Sequence, residues 1–473
     1  MRWKDGTLRR CASGIAAIGL AALTPAFAQD APAGPPNDPS AFLATPPKPM
    51  SIRQRLFIAS AGDLLYSRPL ADLADPEFQK VLELVRGADV AIANQEGVFL
   101  DLATYTGEAY GDGQLWGEGT LPADMKAMGF DIVSVSGNHA TDFGPKGLME
   151  NLHLLDAAGM VHAGGGATLG EARRAGILDT PKGKVALVAT ASTFKVDAGA
   201  NDAFAEGGTP ARPGISRLRT RKIVLVNADQ LATVKRLATE LASTLRPAPA
   251  ADAREVSFGD QLYRLSDRPG LAYEMELYDH AGLLKAVREA KGAAGLVAFT
   301  IHAHESPTGV DDDTPEPPDF LRRLAHDTVD AGADLVMAGG PHALRGVEIY
   351  KGRPILYGMG LFFLKASIKA LQETALRAFP PLQTTMPDPR PNSPRSWFDG
   401  ALAVTEFEGG QARAVRLYPL DLMNAGSDPP RRGIPHLAKG PDAARILAKL
   451  QQDSRPFGTQ ILVEGDTGVI RIR

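Results

Sequence analysis

Cysteine is all but missing from this sequence. One occurs in 473 residues, Cys11, and it lies in an N-terminal stretch that reads as a removable signal. The remainder has no thiol for nucleophilic catalysis, for a disulfide or for a Cys-type zinc site. A basic surplus is missing as well: the formal net charge is −4, so no nucleic-acid-binding surface is expected. Nor is there an apolar run of comfortable membrane-spanning length. The nearest candidate, Ala12–Leu23, follows the basic MRWKDGTLRR and precedes Ala26-Phe27-Ala28, a small-residue cleavage pattern. The expectation is a signal peptide over 1–28, cleaved after Ala28. It implies a periplasmic or secreted protein that meets a membrane only if the signal is kept. Removing Arg2, Lys4, Arg9, Arg10 and Asp5 with it leaves 47 basic and 54 acidic residues, net −7.

What is present is an ordinary globular composition, 44% hydrophobic and 22% charged. Residues 29–50 are rich in Pro and Ala and read as an extended, disordered leader. The main domain is expected over 51–455, with a less regular insertion at 195–270 and two short strands at 456–473. Its pattern is α/β. Apolar runs such as Leu56–Ala61, Asp89–Ala93, Lys184–Thr190 and Gly295–Ile301 read as strands, and Pro76–Arg86, Leu121–Met128 and Asp319–Ala331 as helices.

One stretch organises the rest: Gly129–Gly159, GFDIVSVSGNHATDFGPKGLMENLHLLDAAG. Its strand Ile132–Val135 breaks into Gly137-Asn138-His139, and a helix follows from Pro145. In an open α/β sheet such a loop lies at the carboxyl edge, where ligands bind. Other strands end in similar donors: Asp63, then Asn94 and Glu96, then His302, His304 and Glu305, then His342. Each alone reads equally well as a turn cap or a hydrogen-bonded core residue. Their recurrence at five strand ends points to one shared site. Asp, Glu, Asn and His form a ligand mix suited to Mn, Fe, Zn or Mg.

AGDLLYSR, ADVAIANQEGVF, the 129–159 block, LVAFTIHAHES and AGADLVMAGGPHALRGVEIYKGRPILYGMGLFF follow in order the blocks of the poly-gamma-glutamate capsule synthesis (CapA) family. The chain is similar to that family over roughly Arg53 to Phe363. The resemblance implies a metallophosphatase-like (calcineurin-like) α/β/β/α sandwich of mixed sheets, in one main domain with an insertion and a C-terminal extension. It implies metal positions at Asp63, Asn94, Glu96, Asn138, His302 and His342, holding one or two divalent ions. His139, Asp142 and Glu305, which match the family's motifs, would be catalytic, with His139 the proton donor; His304, outside those motifs, is a further catalytic candidate. Three family positions differ. Ala338-Gly339-Gly340 stand where a His precedes Gly-Pro-His, Leu361 replaces an Asn, and Gly137 precedes Asn138-His139 in place of an Asn. The first two changes remove polar groups from the expected site.

Two classes of function remain open at this point. One is an exported hydrolase-like enzyme acting on poly-gamma-glutamate, a peptide-like chain or another anionic cell-surface polymer, with Arg345 as a substrate contact and Arg212 and Lys351 as weaker candidates. A metal-free acid–base enzyme on a peptide is a variant of it. The other is a non-catalytic periplasmic binding or assembly component beside capsule or polymer export machinery.

Overall fold

The computed structural model describes residues 38–107, 114–203, 208–244, 247–309, 314–365, 394–423 and 431–472. The expected signal, Cys11 and residues 29–37 of the leader lie outside them. The rest of the leader is not free. Pro39–Phe42 forms a 3-10 turn whose Phe42 carbonyl accepts from Arg288, and Met50 is fully buried. Apolar side chains at Pro39, Phe42 and Met50 find cover there, which a Pro/Ala count does not reveal.

Two mixed sheets face each other. In the first, β1 (Leu56–Tyr66) lies beside parallel β2 (Val90–Gln95), followed by Ile132–Ser134 and Val161–Ala163. On its other side runs the antiparallel hairpin Asp399–Glu408 and Gln411–Asp421, then Thr467–Arg471 and Leu462–Glu464. The second sheet has Gly183–Ala191, Leu296–His302 and Leu335–Gly339 as parallel neighbours. Their carboxyl ends share one edge, as do those of β1, β2 and Ile132–Ser134.

Alternation along the strands builds the layers. In β2, Val90 and Ile92 face the second sheet and meet Val185, Leu187, Ala298 and Leu335. Ala91 and Ala93 point the other way, toward helices α1 (Pro76–Arg86), α2 (Leu121–Met128) and α3 (Gly144–Ala157). Val297 and Phe299 meet Leu283, Val287, Phe320 and Leu324 of helices Leu277–Ala293 and Asp319–Ala331. The order is helices, sheet, sheet, helices. Helix α1 shows how the sequence specifies one such contact. Asp75 caps its first turn by accepting from the Glu77 and Phe78 N–H groups, and Pro76 needs no donor of its own. Phe78, Val81, Leu82 and Val85 are fully buried, and each contributes about 1.5–3 kcal/mol as an upper estimate.

Residues 195–270 are more regular than their composition suggests. Glu255–Phe258, Gln261–Leu265, Thr220–Val226 and Gly270–Met275 form a four-stranded sheet under helix Ala228–Glu240. Only the Thr220–Val226 strand shows in the sequence pattern. Gln261–Leu265 and Gly270–Met275 are half-buried along most of their length, which blurs their alternation, and Glu255–Phe258 is only four residues long with Val256 alone buried. Among the described residues no helix is long and apolar enough to cross a membrane.

One backbone contact aims the first site residue. The pairing of β1 with β2 shifts register between Ser60 and Asp63, and on its other side β1 passes there from Asp399–Glu408 to Leu361–Lys365. At that irregularity Gly62 lies flat on the Gly360 carbonyl, and a Cβ on it would stand 1.8 Å from that oxygen. Gly62→Ala must push two backbones apart. Urea unfolding should show a loss of about 3 kcal/mol or more, above the usual range for an added methyl group. A change below about 1 kcal/mol would mean that the strands part easily there.

Candidate functional site

The two carboxyl edges meet, and side chains from both sheets bond across the seam. Asp63 is fully buried. Its carboxylate accepts from Asn94 Nδ2 at 2.9 Å and from the Gly340 N–H at 3.0 Å. Asn94 Nδ2 also lies 3.1 Å from His302 Nδ1, and His302 Nε2 lies 3.1 Å from His304 Nε2. Asn94 and Glu96 flank Gln95, so strand alternation sends both toward the second sheet. Gln95 turns the other way and donates to Asn151 of α3. His302 and His304 are paired about Ala303 in the same manner. The His304 ring sits edge-on to His342, and His342 edge-on to Trp397.

Gly339 is explained by this packing. A Cβ there would lie 2.6 Å from Asp63 Oδ1, so the carboxylate occupies the room that a side chain would need. Leu361, opposite Asp63 in register, is buried in the cluster beneath α1 to α3. Each of the two sequence departures thus gives way to a close local fit.

Burial dominates the electrostatics. It pushes the Asp63 carboxyl up, and the Glu96 charge adds to this; the Gly340 N–H, His342 and Asn94 offset part of it. Burial works against the Glu96 charge too. There the contacts with His342, His302 and His139 outweigh it and hold the group below the usual carboxylate range. The nearest approach, His342 Nε2 to Glu96 Oε1, is 3.8 Å, a charge contact beyond hydrogen-bond length. Burial drives His302 down to about 3, so its imidazole is neutral at ordinary pH.

His139 stands at the rim, on the turn after Ile132–Ser134. Its Nδ1 is 2.9 Å from Asp142 Oδ2. A carboxylate only accepts, so Nδ1 carries the proton and Nε2 is left to exchange one at the site. Asp142 has no exposed surface, and it also takes the Leu115 N–H and the Lys195 ammonium, each at 2.6 Å. The buried carboxylate is thereby paired with a lysine at Oδ1 and anchored by hydrogen bonds at Oδ2.

Six of the expected residues, Asp63, Asn94, Glu96, His302, His304 and His342, are joined by these contacts, with His139 close enough to favour the Glu96 charge and to disfavour protonation of His302. Asn138 adds a buried Oδ1 that has no hydrogen-bond partner among the described groups. Glu305 is turned to Ser192 Oγ and Thr193 Oγ1, at 2.8 and 3.0 Å. Arg345, expected as a substrate contact, is fully buried and donates to the main-chain carbonyls of Glu305 and Thr314, bracing the loop after His302. Arg212 is bonded to Gly199 and Lys351 to Asp330. Sequence reasoning missed Lys195, Ser192, Thr193 and Trp397. Ser192 and Thr193 end the strand Gly183–Ala191 and obey the same strand-end rule as the others. Lys195 and Trp397 carry no comparable signal. A groove of about 410 Å³ beside Arg173, Tyr278 and Lys285 shares no residue with the site.

The donor set can be tested for a metal. Glu96, His302 and His304 each offer one ligand atom within 4.8 Å of the others, and all three are buried. Both Glu96 oxygens are buried with no hydrogen-bond partner among the described groups. A carboxylate in that state is costly unless a cation or proton donor meets it. The residues therefore fit a single divalent ion.

A family model described as bacterial capsule synthesis protein PGA_cap matches residues 57–365. An uncharacterized protein of Sinorhizobium fredii, y4sH, is 35% identical over 437 residues, covering 88% of this chain and 93% of its own. Capsule biosynthesis protein CapA of Bacillus anthracis is 22% identical over 68% of this chain and 63% of its own. A probable polyglutamine synthesis accessory protein of Mycobacterium tuberculosis is 25% identical over 51% of this chain and 46% of its own.

Lys195→Met isolates the pairing at Asp142. With its side chain 28% exposed, Lys195 should contribute less than a fully buried partner, so urea unfolding should show a loss of about 1–3 kcal/mol. Lys195→Arg should recover most of it. Equal stability of the methionine variant would mean that Asp142 does not depend on the lysine.

Proposed function

The chain belongs to the bacterial capsule synthesis protein PGA_cap (CapA) family, and on that premise we propose that it is an exported, metal-dependent, hydrolase-like enzyme of capsule or surface-polymer biosynthesis. Its substrate on this reading is poly-gamma-glutamate, a peptide-like chain or another anionic cell-surface polymer. The four-layer arrangement supports a metallophosphatase-like sandwich. One observation carries the proposal: Glu96, a buried carboxylate with two unpartnered oxygens, beside the ring nitrogens of His302 and His304.

Glu96, His302 and His304 would hold the ion, with His342, Asp63 and Asn138 around it. When bound, Mn, Zn, Fe or Mg supplies a water of lowered pKa and polarises the bond to be cleaved. The chain's own residues do the rest. His139 Nε2, bare in the neutral ring, takes up a proton from water and passes it to the departing group, and Asp142 and Lys195 hold the ring by its Nδ1 side. Asn138 Oδ1 accepts a donor from the substrate. Trp397 walls the His342 side.

A second reading has one observation in its favour. His302 and His304 are hydrogen-bonded to each other, which suits proton transfer on a peptide without a metal. Two measurements separate the readings. The purified chain should retain about one equivalent of Mn or Zn after dialysis, and Glu96→Gln should lower that affinity at least about tenfold. Retention below about 0.1 equivalent, with activity indifferent to chelators, removes the metal reading. On an identified substrate, such as poly-gamma-glutamate followed by its fall in length, His139→Ala should cut the rate about 10²–10⁴-fold while ion binding is unchanged. Full activity in that variant takes the proton-donor role from His139. No turnover by the loaded wild-type protein on any polymer leaves a binding or assembly component.

A further inference from the structure

The hydrogen bonds of the site run in one direction, and we infer that Asn94 is a positioning residue that fixes the His302 ring tautomer and thereby keeps both of its nitrogens from a cation until the amide turns. The tautomer follows from the geometry alone. Only its consequence for cation binding rests on the metal reading above.

An amide nitrogen has two hydrogens. At Asn94 one goes to Asp63 Oδ1, at 2.9 Å, and the other to His302 Nδ1, at 3.1 Å. His302 Nδ1 is therefore an acceptor and carries no proton. A neutral imidazole with a bare Nδ1 is protonated at Nε2, and that hydrogen points to His304 Nε2, 3.1 Å away. One nitrogen of His302 is covered by the amide and the other by its own proton.

For a cation to take Nε2, the proton must pass to Nδ1, and Asn94 must then present its oxygen there instead of its nitrogen. Turning the amide sets that oxygen against Asp63 Oδ1, oxygen facing oxygen whenever the carboxylate is ionised. Asp63 has little freedom to yield. Its other oxygen holds the Gly340 N–H at 3.0 Å, and the Gly339 backbone is packed against Oδ1. Asp63 thus holds Asn94, and Asn94 holds His302. A cation taking Nδ1 instead would have to displace the same amide. Ion loading is expected to be slow and weaker than the donor set alone would give.

Two simpler roles for Asn94 predict the opposite sign on its removal. If it is itself a ligand, or only a tie between the sheets, Asn94→Ala weakens ion binding. As a tautomer lock, its removal strengthens binding. The test uses the full chain, labelled with ¹⁵N-histidine and stripped of metal by chelation. Long-range ¹H–¹⁵N spectra, with His302 assigned from His302→Gln, should show the wild-type ring protonated at Nε2. Asn94→Ala should shift it toward a mixture of tautomers and bind Zn about fivefold more tightly, the equivalent of about one hydrogen bond. An Nδ1-protonated wild-type ring overturns the inference even if the variant does not fold. An unchanged tautomer in the variant, or Zn binding that stays equal or weakens, also overturns it. If neither protein binds Zn or Mn, the metal reading falls, and the two spectra still decide whether Asn94 sets the ring.

Discussion

Asp63 is a carboxylate sealed between two sheets, and the neighbourhood is arranged around keeping it there. A buried charge is tolerated only where donors meet it. Here they come from both sides of the seam, an amide from β2 and a backbone N–H from the end of Leu335–Gly339. That requirement reaches outward. Gly339 has no side chain because the carboxylate fills the space, and Gly340 turns with φ of 106°, a conformation suited to glycine, to present its N–H. Gly62 lets β1 leave its register so that Asp63 can point inward at all. Four residues spread over nearly 280 positions are thus tied to one charge.

The two buried aspartates of the site are handled differently. Asp142 meets a lysine, a histidine and a backbone N–H, so its role is to be an unchanging anchor for His139. Asp63 meets no lysine or arginine among the described residues and is held by neutral donors. Glu96 has imidazoles around it at charge-contact range and unpartnered oxygens. The firmest pairing therefore sits at the rim and the loosest at the centre. That gradient leaves polar atoms unmet in the interior while His139 is held at a fixed angle.

Much of this was legible beforehand, for physical reasons that can be named. The strand-end rule found Asp63, Asn94, Glu96, His302, His304 and His342 because parallel strands bring their carboxyl ends to one edge whatever the connections between them. Helices such as α1 and α2 were readable from an apolar stripe with Pro at the start and Gly after the end. Other features were hidden because they depend on what packs against them. Nothing local marks Lys195 as the counter-charge of Asp142, since the two are distant in sequence and meet only on folding. Trp397 follows a Pro-rich segment and looks like a loop residue until His342 lies beside it. Arg345 looked available to a polymer because it follows a site histidine, yet it is buried against the Glu305 and Thr314 carbonyls and braces a loop. The 195–270 sheet was legible only at Lys222–Val226, because its other strands are half-buried along most of their length or too short to show a pattern.

The seam also has a temporal meaning. Asp63 and Asn94 are made early, His302 and Gly340 much later, and Trp397 later still. During synthesis the first sheet's half of the site therefore waits, with its carboxylates in water, until most of the chain has followed. Neither half carries the full donor set. The donor set is consequently completed only by parts of the chain far apart in sequence, and a fragment ending anywhere between β2 and His302 lacks His302, His304 and His342 and cannot assemble it.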